Sequence, residues 1–557
     1  MKKLTLLPIL AALILFVAAC QSAAPTMPPT EAVQKSDDRQ SNDVESGAEP
    51  APVPTTAVLT PTRDDALQDR QPTLAPPTSS PEPPPQALET EPQPGADGLG
   101  DPYDRQLGNG GYDAQTYTLD LFVDVERNTI SGTVTMQAVA TQDLSAFNLD
   151  FIGFEINQVR VDDAPADYDR APGGARELTI RPGEPLLDGQ EFTVAVSYSG
   201  SPRPFRSQAV PFPVGWTRYD GGIFVASEPD AAASWFPVND HPLDKATYTF
   251  QITVDEPYVV AANGLLQEVV DLGATNTYVW QASDPLASYL VTVNVAEYVM
   301  QTEAGPDGLP IRNFFPPERA EEAAYDFGRT VEMIEFFSGL FGPFPFEAYG
   351  VAVIADVPFA LETQTLSIFS ALTVSGQRDA ERIVAHELAH QWFGDSVSPA
   401  RWGDIWLNEG FATYGEMLWF EHDHGSEAFE ERIRAEYDLV SGNLWKDQSP
   451  GEIRKRLAEQ YPPPGAPPVD DLFNRSVYER GALTLHALRL RVGDAVFFDI
   501  LRSYHDRFRY GTATTADFVA VAEEVSRQDL DDFFQGWLYE QRVPDIPQLG
   551  LSAPELE

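Results

Sequence analysis

The sequence predicts a multidomain chain of α and β structure, an all-β part followed by a mainly helical one. Three observations predict it. Between residues 106 and 302, apolar residues repeatedly occupy alternate positions. From 303 to 546 the spacing changes to that of amphipathic helices. From 21 to 105 the chain is dominated by proline and small polar residues and cannot build a core.

The chain begins with an address. Lys2 and Lys3 precede an apolar run, Leu4 to Phe16, and Val17-Ala18-Ala19 leads to Cys20, the one cysteine of the sequence. Residues 1–20 resemble a bacterial lipoprotein signal, cleaved before Cys20, which then carries the lipid. The run is short for a membrane-spanning helix, which needs about 20 apolar residues, and no other segment is apolar enough to span a bilayer. The expected location is the cell envelope, outside the cytoplasm, with the membrane reached through the lipid anchor. A single cysteine also excludes an internal disulfide framework and a cysteine-built metal site.

Residues 21–105 read as a disordered tether. Up to residue 100 this stretch holds 16 of the 48 prolines and no Phe, Trp or Tyr. The all-β part, 106–302, opens with Tyr117, Leu119, Leu121, Val123 and Val125. A turn at Arg127-Asn128 leads into Ile130, Val134 and Met136, a hairpin with one buried face. Phe192–Tyr198 and Tyr248–Val254 alternate in the same way, and Leu290–Val295 close the series. In the second part, 303–546, helices are expected over 318–340, 379–393, 408–421, 426–441, 476–492, 494–508 and 515–525. Residues 547–557 read as a tail. With 85 acidic against 37 basic side chains the formal charge is −48. That excludes nucleic acid as the main partner and excludes docking on an anionic membrane through a basic face.

The chemistry lies in the helical part. His386-Glu387-Leu388-Ala389-His390 is an H-E-x-x-H sequence. On a helix the two imidazoles point the same way and can take two corners of a Zn²⁺ tetrahedron. Glu387, one position on, sits beside the metal instead of ligating it, placed to accept a proton from a water. Glu409 follows His390 in a second expected helix and supplies a third ligand. A fourth position stays open, as hydrolysis requires. One Zn²⁺ per chain is expected. His422 and His424 lie in a polar stretch and read as a solvated helix end.

H-E-x-x-H followed by Asn408-Glu409-Gly410-Phe411-Ala412 resembles the gluzincin aminopeptidases, the family of membrane alanyl aminopeptidase and leukotriene hydrolase. Gly342–Phe346, Trp402–Glu409, Tyr478–Ala482, Ala513–Phe518 and Phe533–Leu538 extend the resemblance. It implies a β-saddle N-terminal domain, a thermolysin-like catalytic domain and removal of N-terminal residues from peptides. It carries His386, His390 and Glu409 over as zinc ligands, Glu387 as general base, and Tyr478 as donor to the oxyanion. Recognition of the free substrate amine falls to Glu362, in Phe359-Ala360-Leu361-Glu362-Thr363, and to Glu228. The latter lies before a segment that keeps Phe236, Pro237, Asp240 and Pro242. Ala360 belongs to the same substrate-binding set. Three residues depart from the family pattern. Phe359 replaces a glycine and can narrow or reshape the cleft, Thr363 replaces an asparagine, and Arg480 replaces the commoner lysine, a change expected to be mild. Asp395, Trp402, Asp404 and Trp406 are expected to support the structure or the ligands. Two other readings stay open, a non-catalytic, surface-tethered peptide-binding protein and a zinc endopeptidase. The oligomeric state is unknown.

Overall fold

The computed structural model describes residues 91–170 and 176–556. The signal, Cys20 and residues 21–90 lie outside the described residues. The alternating segments form an eight-stranded sheet in the order Leu265–Asp271, Thr275–Leu286, Ala246–Asp255, Tyr112–Asp124, Thr129–Ala140, Glu191–Gly200, Glu155–Val161 and Ala164–Pro165. The hairpin at Arg127-Asn128 pairs Tyr117 with Met136 and Val123 with Ile130. Asn128 takes the left-handed conformation that the tight turn needs (φ 51°). Two four-stranded sheets complete this half, one of them built on the hairpin Gly215–Tyr219 and Gly222–Ala226. The inward face of every long strand is buried, as its period of two requires.

The second half holds ten α-helices: α1 (Ala320–Asp326), α2 (Thr330–Phe341), α3 (Glu381–Ala389), α4 (Trp406–His424), α5 (Ser426–Ser441), α6 (Pro450–Gln460), α7 (Arg475–Val492), α8 (Asp494–Phe508), α9 (Thr515–Ser526) and α10 (Asp531–Leu538). The helix expected over 318–340 is interrupted between α1 and α2. α6 and α10 are additions to the sequence reading. So is a five-stranded sheet in the order Val299–Ala304, Pro310–Phe315, Val351–Ile354, Ser367–Ser370 and Ala360–Leu361. Its first strand straddles the expected boundary at 302/303 and moves the junction upstream. Its inner strands are buried throughout. They therefore carry continuous apolar runs that periodicity cannot tell from a buried helix.

Both ends of the folded body extend past the expected limits. Residues 91–105, read as tether, are ordered. Gln93–Pro94 pairs with Leu144–Asp150. Asp101 is buried, accepts from the backbone N–H of Trp402 (2.8 Å) and lies 3.3 Å from His241 Nε2. A polar side chain does this anchoring, so no apolar pattern announces it. The tail also packs. Arg434 donates to the carbonyl of Leu549 (2.6 Å), Arg542 to that of Ala553 (3.0 Å) and Arg454 to that of Leu556.

Candidate active site

α3 presents His386 and His390 one turn apart, with His390 just past the last helical residue. α4 packs against α3 closely enough that a Cβ on Gly415 would come 2.7 Å from Ala389 Cβ. That approach brings Glu409 to the two imidazoles. Glu409 Oε2 lies 3.3 Å from His386 Nε2 and 3.4 Å from His390 Nε2, and the two Nε2 atoms are 3.1 Å apart. Bonds of 2.0–2.1 Å around tetrahedral zinc give edges of about 3.3–3.4 Å. The three donor atoms therefore already stand at the corners such an ion needs, and the donor set, two imidazoles and a carboxylate, fits Zn²⁺.

The imidazoles are oriented from behind. His390 Nδ1–H donates to the carbonyl of Phe393 (3.1 Å), which turns Nε2 toward Glu409. Gly394 follows at φ +133°, and a Cβ there would lie 2.9 Å from His390 Nδ1. His386 Nδ1 faces Glu416 Oε2 at 3.9 Å. Glu416 is held in turn by Arg382 (3.4 Å) and Arg432. The sequence reading missed Glu416. It lies seven residues after Glu409, two helical turns on, and that spacing was the available signal.

Glu387 is buried (6 % exposed) and forms no ion pair among the described residues. Burial pushes its carboxyl well above the usual range, and Glu362, Glu409 and Glu416 add to this against His390. Burial opposes ionisation of Glu409, but hydrogen bonds from His386 and His390 hold it down to about 2. His390, whose burial disfavours charge, is held up to about 10 by Glu362, Glu409 and Glu387. The pocket calls for positive charge.

Glu228 (8 % exposed) and Glu362 (2 %) enter the same pocket from the two halves of the molecule. Each keeps one carboxylate oxygen without a hydrogen-bond partner among the described residues. Burial raises both, and Glu362 exerts the largest charge effect on Glu228. Glu362 follows the edge strand Ala360–Leu361, which places Ala360 beside it. Gln391, the residue after His390, ties this loop to α3. It accepts from Thr365 N–H (2.9 Å) and donates to the Glu362 carbonyl (2.9 Å) and to Asp395 Oδ2 (2.6 Å). Thr363 turns its hydroxyl to the Leu366 carbonyl, inside the loop.

Tyr478 stands in the first turns of α7, its ring roughly parallel to His386 at 6.1 Å. Burial raises its hydroxyl pKa well above 10, with Glu409, Glu228 and Glu362 adding to the effect. It is placed by a crossing of α4 and α7 at two glycines. A Cβ on Gly410 or Gly481 would sit 2.9 Å from the other's Cα. Gly410 is next to Glu409 and Gly481 lies three residues after Tyr478. Arg480, buried between them, donates to the carbonyls of Gly536 (3.0 Å), Trp537 (2.7 Å) and Glu540 (2.5 Å), closing the end of α10. With the Gln541 carbonyl (3.4 Å) the planar fork grips four, one more than the three N–H donors of a lysine could reach, so this departure carries more structural weight than expected.

The remaining expectations fall into place. Asp404 accepts from Thr515 N–H and Oγ1 (3.2 and 2.6 Å), and Trp406 Nε1 donates to the same hydroxyl (2.8 Å). Trp402 is buried with its ring against Tyr289, and Asp395 bonds Gln391, so all four support the site from outside. His422 and His424 are exposed at the end of α4.

A β-sheet half joined to a helical half that bears this donor triad defines a zinc-metallopeptidase architecture. The Peptidase M1 N-terminal domain matches residues 113–290 and the Peptidase family M1 domain matches residues 325–537. The chain belongs to peptidase family M1. It is 29 % identical to an M1 zinc metallopeptidase from Deinococcus radiodurans, solved with a Tyr-Ser-Ala substrate. The match covers 81 % of this chain and 99 % of that one, at a TM-score of 0.70. It is 26 % identical to leucine aminopeptidase 2 of Candida albicans over 78 % of this chain and 70 % of the relative. It is also 26 % identical to human glutamyl aminopeptidase, over 58 % of this chain and 35 % of the relative. The chain thus matches about a third of the length of the glutamyl aminopeptidases.

Proposed function

We propose that the protein is a zinc aminopeptidase that removes N-terminal residues from peptides. The observation that carries this reading is the pair Glu228 and Glu362, two buried carboxylates with unpartnered oxygens beside the metal triad. An ammonium group is the partner such a pair lacks. His386, His390 and Glu409 would hold the Zn²⁺, which when bound would supply a Lewis acid able to acidify water and polarise a carbonyl. Glu387, made basic by its burial, takes the proton of the attacking water and passes it to the departing amine. Tyr478, kept protonated by its surroundings, donates to the oxygen on which negative charge develops. Glu228 and Glu362 hold the substrate amine and set the distance from chain end to scissile bond.

The decisive experiment compares a free-amine peptide with its N-acetylated copy. Cleavage of the free amine alone is expected, and preference for the acetylated peptide would favour the endopeptidase reading. Binding of both without cleavage would favour a non-catalytic peptide binder. We further propose that Cys20 carries lipid and holds the enzyme on the outer side of a membrane, a reading supported by residues 1–20. Among the described residues no helix is long and apolar enough to cross a membrane. Cys20→Ala should release the protein from the membrane fraction, and continued membrane association would refute the anchor.

A further inference from the structure

We propose that Phe212, Phe359 and Phe224 form a subsite for an apolar side chain, aromatic by preference, on the leaving-group side of the scissile bond. The inference rests on the aminopeptidase reading and extends it to a substrate class. Phe359 immediately precedes the edge strand Ala360–Leu361 and lies three residues before Glu362. Phe224 lies in the strand Gly222–Ala226, four residues before Glu228. The two segments that deliver the carboxylates therefore also deliver the rings.

The rings form a row. Phe212 stacks on Phe359 at 5.1 Å and 16°. Phe224 meets Phe359 edge-on at 6.4 Å, and Tyr219 lies 6.2 Å beyond it. Phe224 is buried and anchors the row, while Phe212 and Phe359 are half-buried. Phe212 sits in a loop whose ends are pinned by two backbone hydrogen bonds between Phe205 and Val214 (2.8 and 2.9 Å). The ledge is held in place by that closure.

The direction of a bound peptide follows from what surrounds Glu362. Beyond it, Thr363, Gln364 and Thr365 are fully buried. They are bonded by Asn263 to the Gln364 carbonyl (2.7 Å) and by Arg312 to the Thr365 carbonyl (2.8 Å). A substrate whose amine lies at Glu362 cannot continue that way. It runs back along the open edge of Ala360–Leu361, the outer strand of its sheet, as an added antiparallel strand. At about 3.3 Å per residue, the second and third residues of the substrate pass Phe359.

The test uses three peptide amides with a common N-terminal residue, X-Gly-Gly, X-Phe-Gly and X-Gly-Phe, assayed on wild type, Phe359→Gly and Phe212→Ala. In the wild type, phenylalanine at the second or third position should raise kcat/KM about tenfold over glycine. The ratio should fall toward one in both variants. Being internal to each preparation, it does not depend on how much enzyme is folded. A wild-type ratio near one, or a ratio that survives in both variants while all rates fall together, would overturn the subsite. The same ratios measured as affinities by calorimetry separate the two readings. Discrimination in binding without cleavage would overturn the aminopeptidase reading and support the subsite, and equal affinities for the three peptides would overturn the subsite.

Discussion

Two buried carboxylate clusters lie on either side of one short segment, and only one has a guanidinium or ammonium partner. Asp230 faces Arg176 at 3.6 Å, and Arg176 also faces Asp240 at 3.6 Å. Asp240 accepts from Ala233 N–H (3.1 Å) and Ser288 Oγ (2.8 Å). Asp150 joins them through Asn109 Nδ2 and the Asp240 N–H, both at 3.0 Å. Two residues before Asp230, Glu228 turns into the other cluster with Glu362 and Glu387. There no Lys or Arg among the described residues makes an ion pair with any of the three; His390 Nδ1, 3.9 Å from Glu362, is the nearest positive group. A buried negative group left without a cation costs several kcal/mol, so a fold retains one where something else is to be bound. The contrast separates a structural knot from a site with no appeal to either's chemistry.

The first way to sharpen that comparison is to remove Glu387. Glu387→Ala should lower kcat about 10²–10⁴-fold while zinc content by metal analysis stays at one per chain, whereas His390→Ala should lose both. Retained turnover in Glu387→Ala would end the general-base assignment. The second strips the paired cluster of its cation. Arg176→Met should cost about 3–5 kcal/mol, read as a fall in Tm, since it leaves Asp150, Asp230 and Asp240 uncompensated. The third removes a charge from the unpaired cluster. Glu362→Gln should leave Tm unchanged or raise it, yet lower kcat/KM for free-amine peptides about 10²-fold, mostly through KM. A fall in Tm like that of Arg176→Met would mean the two clusters do not differ in kind.

The smallest effect concerns pH. Burial lowers His486 and His505, both in the helical half, to about 4. They fold neutral, whereas the unfolded chain takes up protons below about 6.5. Their contribution is complete above pH 6.5 and is lost as pH falls from 6.5 to 4. At pH 5 the loss should be about 1–2 kcal/mol for each. Comparison of Tm at pH 7 and 5, in wild type and in a His486→Gln/His505→Gln variant, checks it, because the double variant should show a smaller fall.

Much of this was legible in the sequence where a period or a spacing carried it. The hairpin at Arg127-Asn128 stands out because its strands have one wet face, and α5 and α8 because their apolar residues recur at helical spacing. The two histidines of the triad were readable because helix geometry converts a spacing of four into a shared direction. The five-stranded sheet was not, since Val351–Ile354 is buried on both faces and shows no alternation. Nor was Gln391, two of whose three bonds reach a loop more than twenty residues away. Glu228 and Glu362 could be nominated only by resemblance, for in a chain this acidic the lack of a partner shows only in three dimensions.

The glycine crossing of α4 and α7 couples what a chemist would prefer to tune apart. Because Glu409 and Tyr478 both flank the contact of Gly410 with Gly481, one extra methyl there would displace the proposed metal ligand and the proposed oxyanion donor together. Metal retention and acceleration of the reaction would then decline in step, and no drift at that seam could exchange one for the other.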